Sequence, residues 1–577
     1  MEGTIVLSVL NAKYVHASPA PWCLAGGIKA YAPELYHRVR IVEATVNQPA
    51  ADVLGQIVAA APCVAGFSCY IWNIDATLAL CTALRQVLPH VIIVLGGPEV
   101  SYCAKEVLKN NAQVDYILSG EGEESLPAFL RAVFSKDKPE PLEAQQIIPG
   151  LCGRNIDGTL YENAPCVLNG AVPSPLTAGY AEAVQGRIAY IETSRGCPYS
   201  CAFCLSGRCG TSRFFELDAV LHDLLHLANS GARTIKFVDR TFNANAAHAN
   251  EILRFVLEHY GKEIPPGICF HFEIAGDILR EETFALLAKI PMGAVQLEIG
   301  IQSFCEKTLE AVNRKTDTAI LQANIQRLVA MGNMHIHIDL IAGLPYENLT
   351  VFSEGFNKGY ALRAQMLQLG FLKLLHGSAM RSYPQAYPCE FDENPPYEVR
   401  ITPWLSTHDF DLLHYTEMAV DRVYNSGRFR MTADYVLSVC GKTPFEFYKG
   451  LGIAMQKVGV PWNISLDDYT AVLQEYCVSL HNVNYETLRD TLVRDRLSTN
   501  TTGRLPPCLY IQDARMAKVL KCLRLNPATA PQKGVRRGVA LLYAAKSVCF
   551  VDYDFAQRNP VTGCFVLHEM PLYTIQA

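Results

Sequence analysis

No long apolar run occurs in this sequence. Mean hydropathy is slightly positive, +0.11 over 577 residues, yet no stretch approaches the roughly 18 residues of a membrane-spanning helix. The most apolar segments, His90–Gly97 and Gly538–Ala545, are strand-sized. Charge is also scarce. Charged residues make up 18%, the net charge is −6 and the pI is near 6.2, which excludes a surface given over to nucleic acid. With 50% hydrophobic residues, wholesale disorder is excluded as well. The opening segment, Thr4 to Leu10, lacks the basic start and cleavage site of a secretory signal. The 20 cysteines lack the spacing of a small disulfide scaffold, so reduced thiols are expected. These absences together predict a cytoplasmic protein with no membrane partner, and the length predicts about three to five domains.

Residues 1–135 alternate strands and helices. Ile5–Leu10, Arg38–Glu43, Val64–Ser68, Val91–Leu95 and Tyr116–Ser119 read as strands, with helical patterns such as Thr77–Val87 and Val100–Asn110 between them. Continuous apolar strands separated by helices imply a doubly wound parallel sheet, flavodoxin- or Rossmann-like. Small residues follow three of the strands: Gly66-Phe67-Ser68, Gly96-Gly97-Pro98 and Gly120-Glu121-Gly122-Glu123. They fall at the carboxyl ends, where open α/β sheets bind ligands. Residues 136–185 carry little periodicity and read as a linker.

Residues 186–385 repeat the alternation with a different kind of strand. In Phe270–Asp277, His271, Glu273 and Asp277 share one face; in Gln296–Gln302, Gln296, Glu298 and Gln302 do; in Met334–Leu340, His335, His337 and Asp339 do. Strand side chains alternate, so each strand has a polar and an apolar face. The apolar faces meet the crossover helices and the polar faces converge on an interior. A closed eight-stranded barrel fills that interior with Val, Ile and Leu. A polar interior therefore predicts an open, partial barrel around a polar ligand. Residues 386–577 read as mostly helical, with Leu405–Tyr424 and Leu466–Arg496 as examples. They end in strands from about Val535, with a turn at Asn559–Gly563. From residue 501 on, 10 Lys and Arg face 4 Asp and Glu, a basic end of +6 that reads as a solvated face.

The strongest local signal is Arg195-Gly-Cys197-Pro-Tyr-Ser-Cys201-Ala-Phe-Cys204, placed just after the strand Ile188–Glu192. Thiolates suit zinc or iron–sulfur clusters. Closed zinc sites want four ligands, commonly as two Cys pairs, and no second pair is present. Three ligands on one loop suit a four-iron cluster with one iron open to a cofactor or substrate. Cys209 is near enough to be a rival fourth ligand.

This loop resembles the Cys-x3-Cys-x-aromatic-Cys motif of the radical SAM superfamily, with Phe203 in the aromatic place. Further stretches are similar to the subgroup that includes coproporphyrinogen dehydrogenase and the Elp3-like proteins. These are Phe237-Val-Asp-Arg-Thr-Phe-Asn243, Glu298-Ile-Gly-Ile-Gln-Ser303, Asn313-Arg314 and Asp339-Leu-Ile-Ala-Gly-Leu-Pro345. The resemblance implies a partial (β/α)6 barrel and a [4Fe–4S] cluster on Cys197, Cys201 and Cys204. It also implies S-adenosylmethionine (SAM) on the open iron, contacted by Phe203, Glu273, Gln302, Ser303, Arg314, Asp339 and Gly343. The turns of the first domain resemble the cobalamin-binding domain that often precedes this barrel. That implies cobalamin against Ser68, Gly96, Gly97, Gly120 and Glu121. Many such domains supply an axial His from an Asp-x-His-x-x-Gly loop. Here His16 has Tyr14 and Pro19 in place of the Asp and Gly, so no His–cobalt bond is expected. The C-terminal half resembles an uncharacterised extension on B12-binding radical SAM proteins.

The implied organisation is a cobalamin-binding domain at 1–135, a linker at 136–185, a radical SAM barrel at 186–385 and an extension at 386–577. The implied function is radical cleavage of SAM coupled to methyl transfer to an unactivated centre. Ring formation or rearrangement, tRNA methylthiotransferase-like activity and a non-catalytic corrinoid or redox sensor are the alternatives. A small-molecule or peptide substrate is expected, with His335 and His337 as candidate contacts. A flavodoxin- or ferredoxin-type electron donor is expected, and nucleic acid is not.

Overall fold

The computed structural model describes residues 3–135, 147–168, 170–459, 464–526, 530 and 534–576, apart from the side chains of Cys209, Ile575 and Gln576. The side chain of Cys209, the rival ligand, and residues 136–146 and 169 of the expected linker therefore fall outside the described residues.

The first sheet contains β1 (Thr4–Asn11), β2 (Val39–Thr45), β3 (Pro62–Ser68), β4 (Ile92–Gly96), β5 (Tyr116–Leu118), β6 (Leu151–Arg154) and β7 (Leu160–Glu162), in the order β2-β1-β3-β4-β5-β6-β7. The first five are parallel, and their order reverses between β1 and β3, as in a flavodoxin-like sheet. β1 is buried along nearly its whole length because helices cover both faces, and the sheet carries a separate core on each side. One finding departs from the expected linker: residues 151–162 extend this sheet by an antiparallel pair.

The second sheet contains β8 (Ile188–Ile191), β11 (Thr234–Phe237), β12 (Cys269–Ile274), β13 (Val295–Gln302), β14 (His335–Ala342) and β15 (Met366–Phe371). All are parallel and in sequential order from β8 to β15. The short hairpin of β9 (Ser194–Gly196) and β10 (Ser212–Phe214) stands at its top and carries the cysteine loop. The barrel is open, and each exposed edge is met by another part of the chain. At β8, the backbone of Val15 accepts from Ile188 N–H at 2.8 Å and His16 forms a parallel bridge to Ile188. At β15, the Asn425 amide stands in for a neighbouring strand: its Oδ1 accepts from Leu367 N–H at 2.8 Å and its Nδ2 donates to Leu367 C=O at 3.0 Å. An open sheet edge left bare would be a template for pairing with other chains.

The C-terminal region is helical from Thr407 to Leu525, after the small pair β16 (Glu390–Phe391) and β17 (Val399–Ile401). It ends in the antiparallel sheet β18 (Arg537–Leu542), β19 (Ser547–Asp552) and β20 (Leu567–Pro571). The turn at Asn559–Gly563 lies within the long β19–β20 connection, closed by Gly563 N–H to Asn559 C=O at 2.8 Å. One continuous hydrophobic core runs from the barrel into these helices, so the region is built onto the barrel. Phe356, Phe445 and Tyr448 are among the buried rings that join the two.

Candidate functional site

The β9–β10 hairpin holds its loop by backbone contacts on both sides. Ala202 N–H donates to Val312 C=O at 2.9 Å, and Met380 N–H donates to Ala202 C=O at 3.0 Å. Gly207 is required here, since a Cβ at that position would lie 2.3 Å from the Tyr199 carbonyl oxygen. Cys197, Cys201 and Cys204 all line one cavity of about 200 Å³, and Cys197 and Cys201 are each 8% exposed. Burial pushes the Cys201 thiol up, while the Arg314 guanidinium, with Nη1 at 3.9 Å from the sulfur, pulls the other way. Cys197 Sγ lies 3.4 Å from Thr241 Oγ1.

The same cavity is lined by Phe203, Glu273, Gln302, Arg314 and Asp339, five of the seven residues expected to contact SAM. Gln302 has a left-handed backbone, φ 70°, at the break in register between β13 and β14. Arg314 Nη2 donates to the Gly300 carbonyl inside that break. Arg314 Nε is buried without a partner. An unpartnered guanidinium donor in a cavity that also holds three thiols and the Glu273 and Asp339 carboxylates fits a zwitterionic ligand beside a thiolate-bound cluster.

Two of the expected contacts, Ser303 and Gly343, do not line this cavity. Ser303 is 2% exposed and does not line the cavity; its hydroxyl donates to Glu347 Oε1 at 2.6 Å. Gly343 faces the C-terminal region, where a Cβ would lie 3.1 Å from the Phe410 ring. Its φ of 96° and this close ring both favour a residue without a side chain.

Below the cavity, the polar faces of four strands form a row. Glu298 Oε2 lies 3.1 Å from His271 Nε2, 3.4 Å from Lys236 Nζ and 3.8 Å from His337 Nδ1; His337 Nε2 lies 2.8 Å from Asp339 Oδ1. Burial lowers the His271 pKa and favours its neutral ring, so its contact with Glu298 is polar, whereas the Asp339 contact favours a charged His337. Burial works against ionised Glu298, but His271, Lys236 and His337 hold its pKa down to about 2. Burial likewise opposes a charged His337, and Asp339 and Glu298 outweigh it and raise its pKa. For His335 burial dominates and the pKa falls to about 4. Glu298, His337 and Asp339 bring three potential metal ligands within 4.8 Å of one another. Lys236 and a protonated His337 already neutralise that pair of carboxylates, so the row is an ion-pair network. Neither His335 nor His337 lines this cavity. Glu298 does line it. Its signal was its place beside Glu273 and His337 on the polar faces, which the register pairs directly.

At the carboxyl edge of the first sheet, Ser68 is buried and its carbonyl accepts from Asn73 Nδ2 at 3.1 Å. Gly96 ends β4. Gly97 and Gly120 have φ of 106° and 89°, and a Cβ on either would strike a backbone oxygen, of Cys69 at 2.5 Å or of Cys166 at 2.3 Å. Their own turns need the missing side chain. The Glu121 carboxylate is engaged by the protein: Oε2 accepts from Leu168 N–H at 2.8 Å and lies 3.3 Å from Arg195, while Oε1 pairs with Arg213. Tyr70 and Trp72, after β3, stack at 4.4 Å and 5° and were not singled out from sequence. His16 Nδ1 lies 2.7 Å from the Tyr190 hydroxyl of β8, and Tyr14 is 78% exposed.

Family models match three segments: a B12 binding domain at residues 21–130, the radical SAM superfamily at 191–354, and a protein of unknown function, DUF4080, at 385–526. The chain is a B12-binding-domain radical SAM protein. It is similar to the cobalamin-dependent radical SAM methyltransferase TokK of Streptomyces tokunonensis, with 26% identity over 314 residues, covering 51% of this chain and 44% of that one. The match therefore spans less than half the length of that relative. Among solved structures, the cobalamin-dependent S-adenosylmethionine radical enzyme OxsB has a TM-score of 0.59 at 14% identity, covering 86% of this chain and 79% of that one. The radical S-adenosylmethionine methyltransferase TsrM from Kitasatospora setae has a TM-score of 0.54 at 18% identity, covering 66% and 76%. Both share the fold of this B12-binding radical SAM protein. Among the described residues no helix is long and apolar enough to cross a membrane.

Proposed function

We propose that the protein is a cobalamin-dependent radical SAM methyltransferase acting on an unactivated centre of a small-molecule or peptide substrate. The observation that carries this reading is one cavity lined by three loop thiols, by Arg314 with its unpartnered Nε, and by the Glu273 and Asp339 carboxylates. Cys197, Cys201 and Cys204 would hold a [4Fe–4S] cluster. When bound, the cluster supplies the electron that cleaves SAM to a 5′-deoxyadenosyl radical, and cobalamin carries the methyl group. Arg314 binds the ligand's carboxylate through Nε while its Nη2 stays on Gly300 C=O. Asp339 and Glu273 accept from hydroxyl or amino groups, and Gln302 is aimed inward by its left-handed backbone. The Lys236–Glu298–His337 row keeps the cavity floor charged and fixed. The carboxyl edge of β3 and β4 would face cobalamin, and an external flavodoxin- or ferredoxin-type protein would deliver the electron. The relative TokK carries the same activity in its name, which supports methyl transfer over the other readings.

The test is anaerobic reconstitution with iron, sulfide and cobalamin, then incubation with SAM and a strong reductant. 5′-Deoxyadenosine, methylcobalamin and S-adenosylhomocysteine are the expected products. 5′-Deoxyadenosine without methylcobalamin would replace methyl transfer by rearrangement, and neither product would leave a non-catalytic protein. Cys197→Ala, Cys201→Ala and Cys204→Ala should each lose the absorbance at about 400 nm of a thiolate-bound cluster, and Cys209→Ala should keep it.

A further inference from the structure

The segment after β11 serves the cysteine loop twice. Asp239, 1% exposed, accepts from Thr193 N–H at 3.0 Å, Thr193 Oγ1 at 2.7 Å and Ser194 Oγ at 2.5 Å. It thereby fixes the chain where β9 begins, three residues before Cys197. Two residues further on, Thr241 is 6% exposed, lines the cavity and lies 3.4 Å from Cys197 Sγ. Its hydroxyl is also 2.8 Å from the Arg240 carbonyl oxygen. With a free thiol, the sulfur can donate to Thr241 while the hydroxyl proton stays on Arg240. A thiolate bound to iron has no proton to give. The only hydrogen bond then available between the two side chains runs from the Thr241 hydroxyl to sulfur.

We propose that Thr241 donates a hydrogen bond to the cluster ligand Cys197 and raises the reduction potential of the cluster. This rests on the cluster assignment above. Reduction adds an electron that spreads onto the sulfurs, so a donor stabilises the reduced form more than the oxidised one. Arg314 Nη1, at 3.9 Å from Cys201 Sγ, adds positive charge on another ligand. Thr241 is a positioning and tuning residue and is not required to touch the substrate. Burial strengthens its effect, because water that would compete for the sulfur is kept away.

The experiment is a redox titration of reconstituted protein, followed by electron paramagnetic resonance of the reduced cluster, in wild type, Thr241→Val, Thr241→Ala and Thr241→Ser. The Val and Ala variants should become about tenfold harder to reduce, which is about 59 mV for a one-electron couple. The Ser variant keeps the hydroxyl and should keep the wild-type potential. A merely structural role would change cluster content without moving the potential of the clusters that do form. If Val fails to load, the comparison of Ala with Ser decides the matter. Wild-type potential in both Val and Ala would overturn the proposal and leave the hydroxyl on Arg240. A wild-type protein that builds no cluster would instead overturn the cluster assignment itself.

Discussion

Arg195 Nη2 lies 2.8 Å from Glu123 Oε1, joining the residue two before Cys197 to the helix that follows β5. The same guanidinium lies 2.7 Å from Glu192 and 3.3 Å from Glu121. Its side chain is 20% exposed and that of Glu123 is 6% exposed, so Glu123 and Glu192 depend on one half-buried cation, which Glu121 shares with Arg213. Arg195→Met should cost about 3 kcal/mol, because it leaves buried carboxylates without their partner. Denaturant unfolding followed by circular dichroism checks the loss, and cluster absorbance should fall with it. A variant as stable as wild type would show that Arg213 alone can hold this junction.

SAM affinity tests the cavity residues separately from the cluster. Gln302→Ala and Asp339→Asn should each weaken SAM binding by about 10–150-fold, the roughly 1.5–3 kcal/mol of a hydrogen bond to a charged group. Equilibrium dialysis against the reconstituted protein measures this, with iron content unchanged. Ser303→Ala should leave affinity as it is, since its hydroxyl serves Glu347.

Much of this fold is legible in the sequence because its strands have two distinct grammars. Buried β1 reads as an apolar run interrupted by Ser8, and β12 to β14 read as alternation, so sheet and open barrel could be told apart. The cysteine loop is contiguous and therefore visible. What could not be read depends on contacts far apart in sequence. Glu121 looked like a ligand-edge residue until Arg195 and Arg213 reached it from 74 and 92 residues away. Gly343 looked like a cofactor approach, but its φ of 96° and the nearby Phe410 ring, set by distant parts of the chain, both ask for glycine. The strands at 151–162 are four and three residues long, too short for alternation to show in sequence.

The axial face of cobalt is a further test. His16 lies in the loop after β1, but Tyr14, in the place of the orienting Asp, is turned out to solvent. Nδ1 of His16 is engaged by Tyr190, and its backbone is stitched to β8. Burial and the nearby Lys13, Lys236 and Arg187 lower its pKa. The electron paramagnetic resonance spectrum of bound Co(II)-cobalamin should show no nitrogen superhyperfine splitting from the protein, and His16→Ala should leave it unchanged. Splitting that vanishes in His16→Ala would make this an axial-ligand loop with Tyr190 in the orienting role.

Glu347 gives the protein a pH dependence that can be isolated. It is 2% exposed; burial raises its pKa to about 7, and the single hydrogen bond from Ser303 offsets this only in part. Its Oε2 has no partner. Between the ordinary carboxyl value of 4.5 and about 7, the folded chain holds a proton that the unfolded chain has lost. Stability therefore falls as pH rises through that window, by up to about 3 kcal/mol at 1.36 kcal/mol per unit. Glu347→Gln keeps an acceptor for Ser303 and cannot ionise. It should match wild type near pH 4 and be the more stable protein at pH 8. Asp495 and Glu417, also raised to about 7, titrate alike in both proteins and cancel in the difference. Urea unfolding of the pair at a series of pH values measures that difference. Parallel curves would mean that Glu347 reaches water in the folded state.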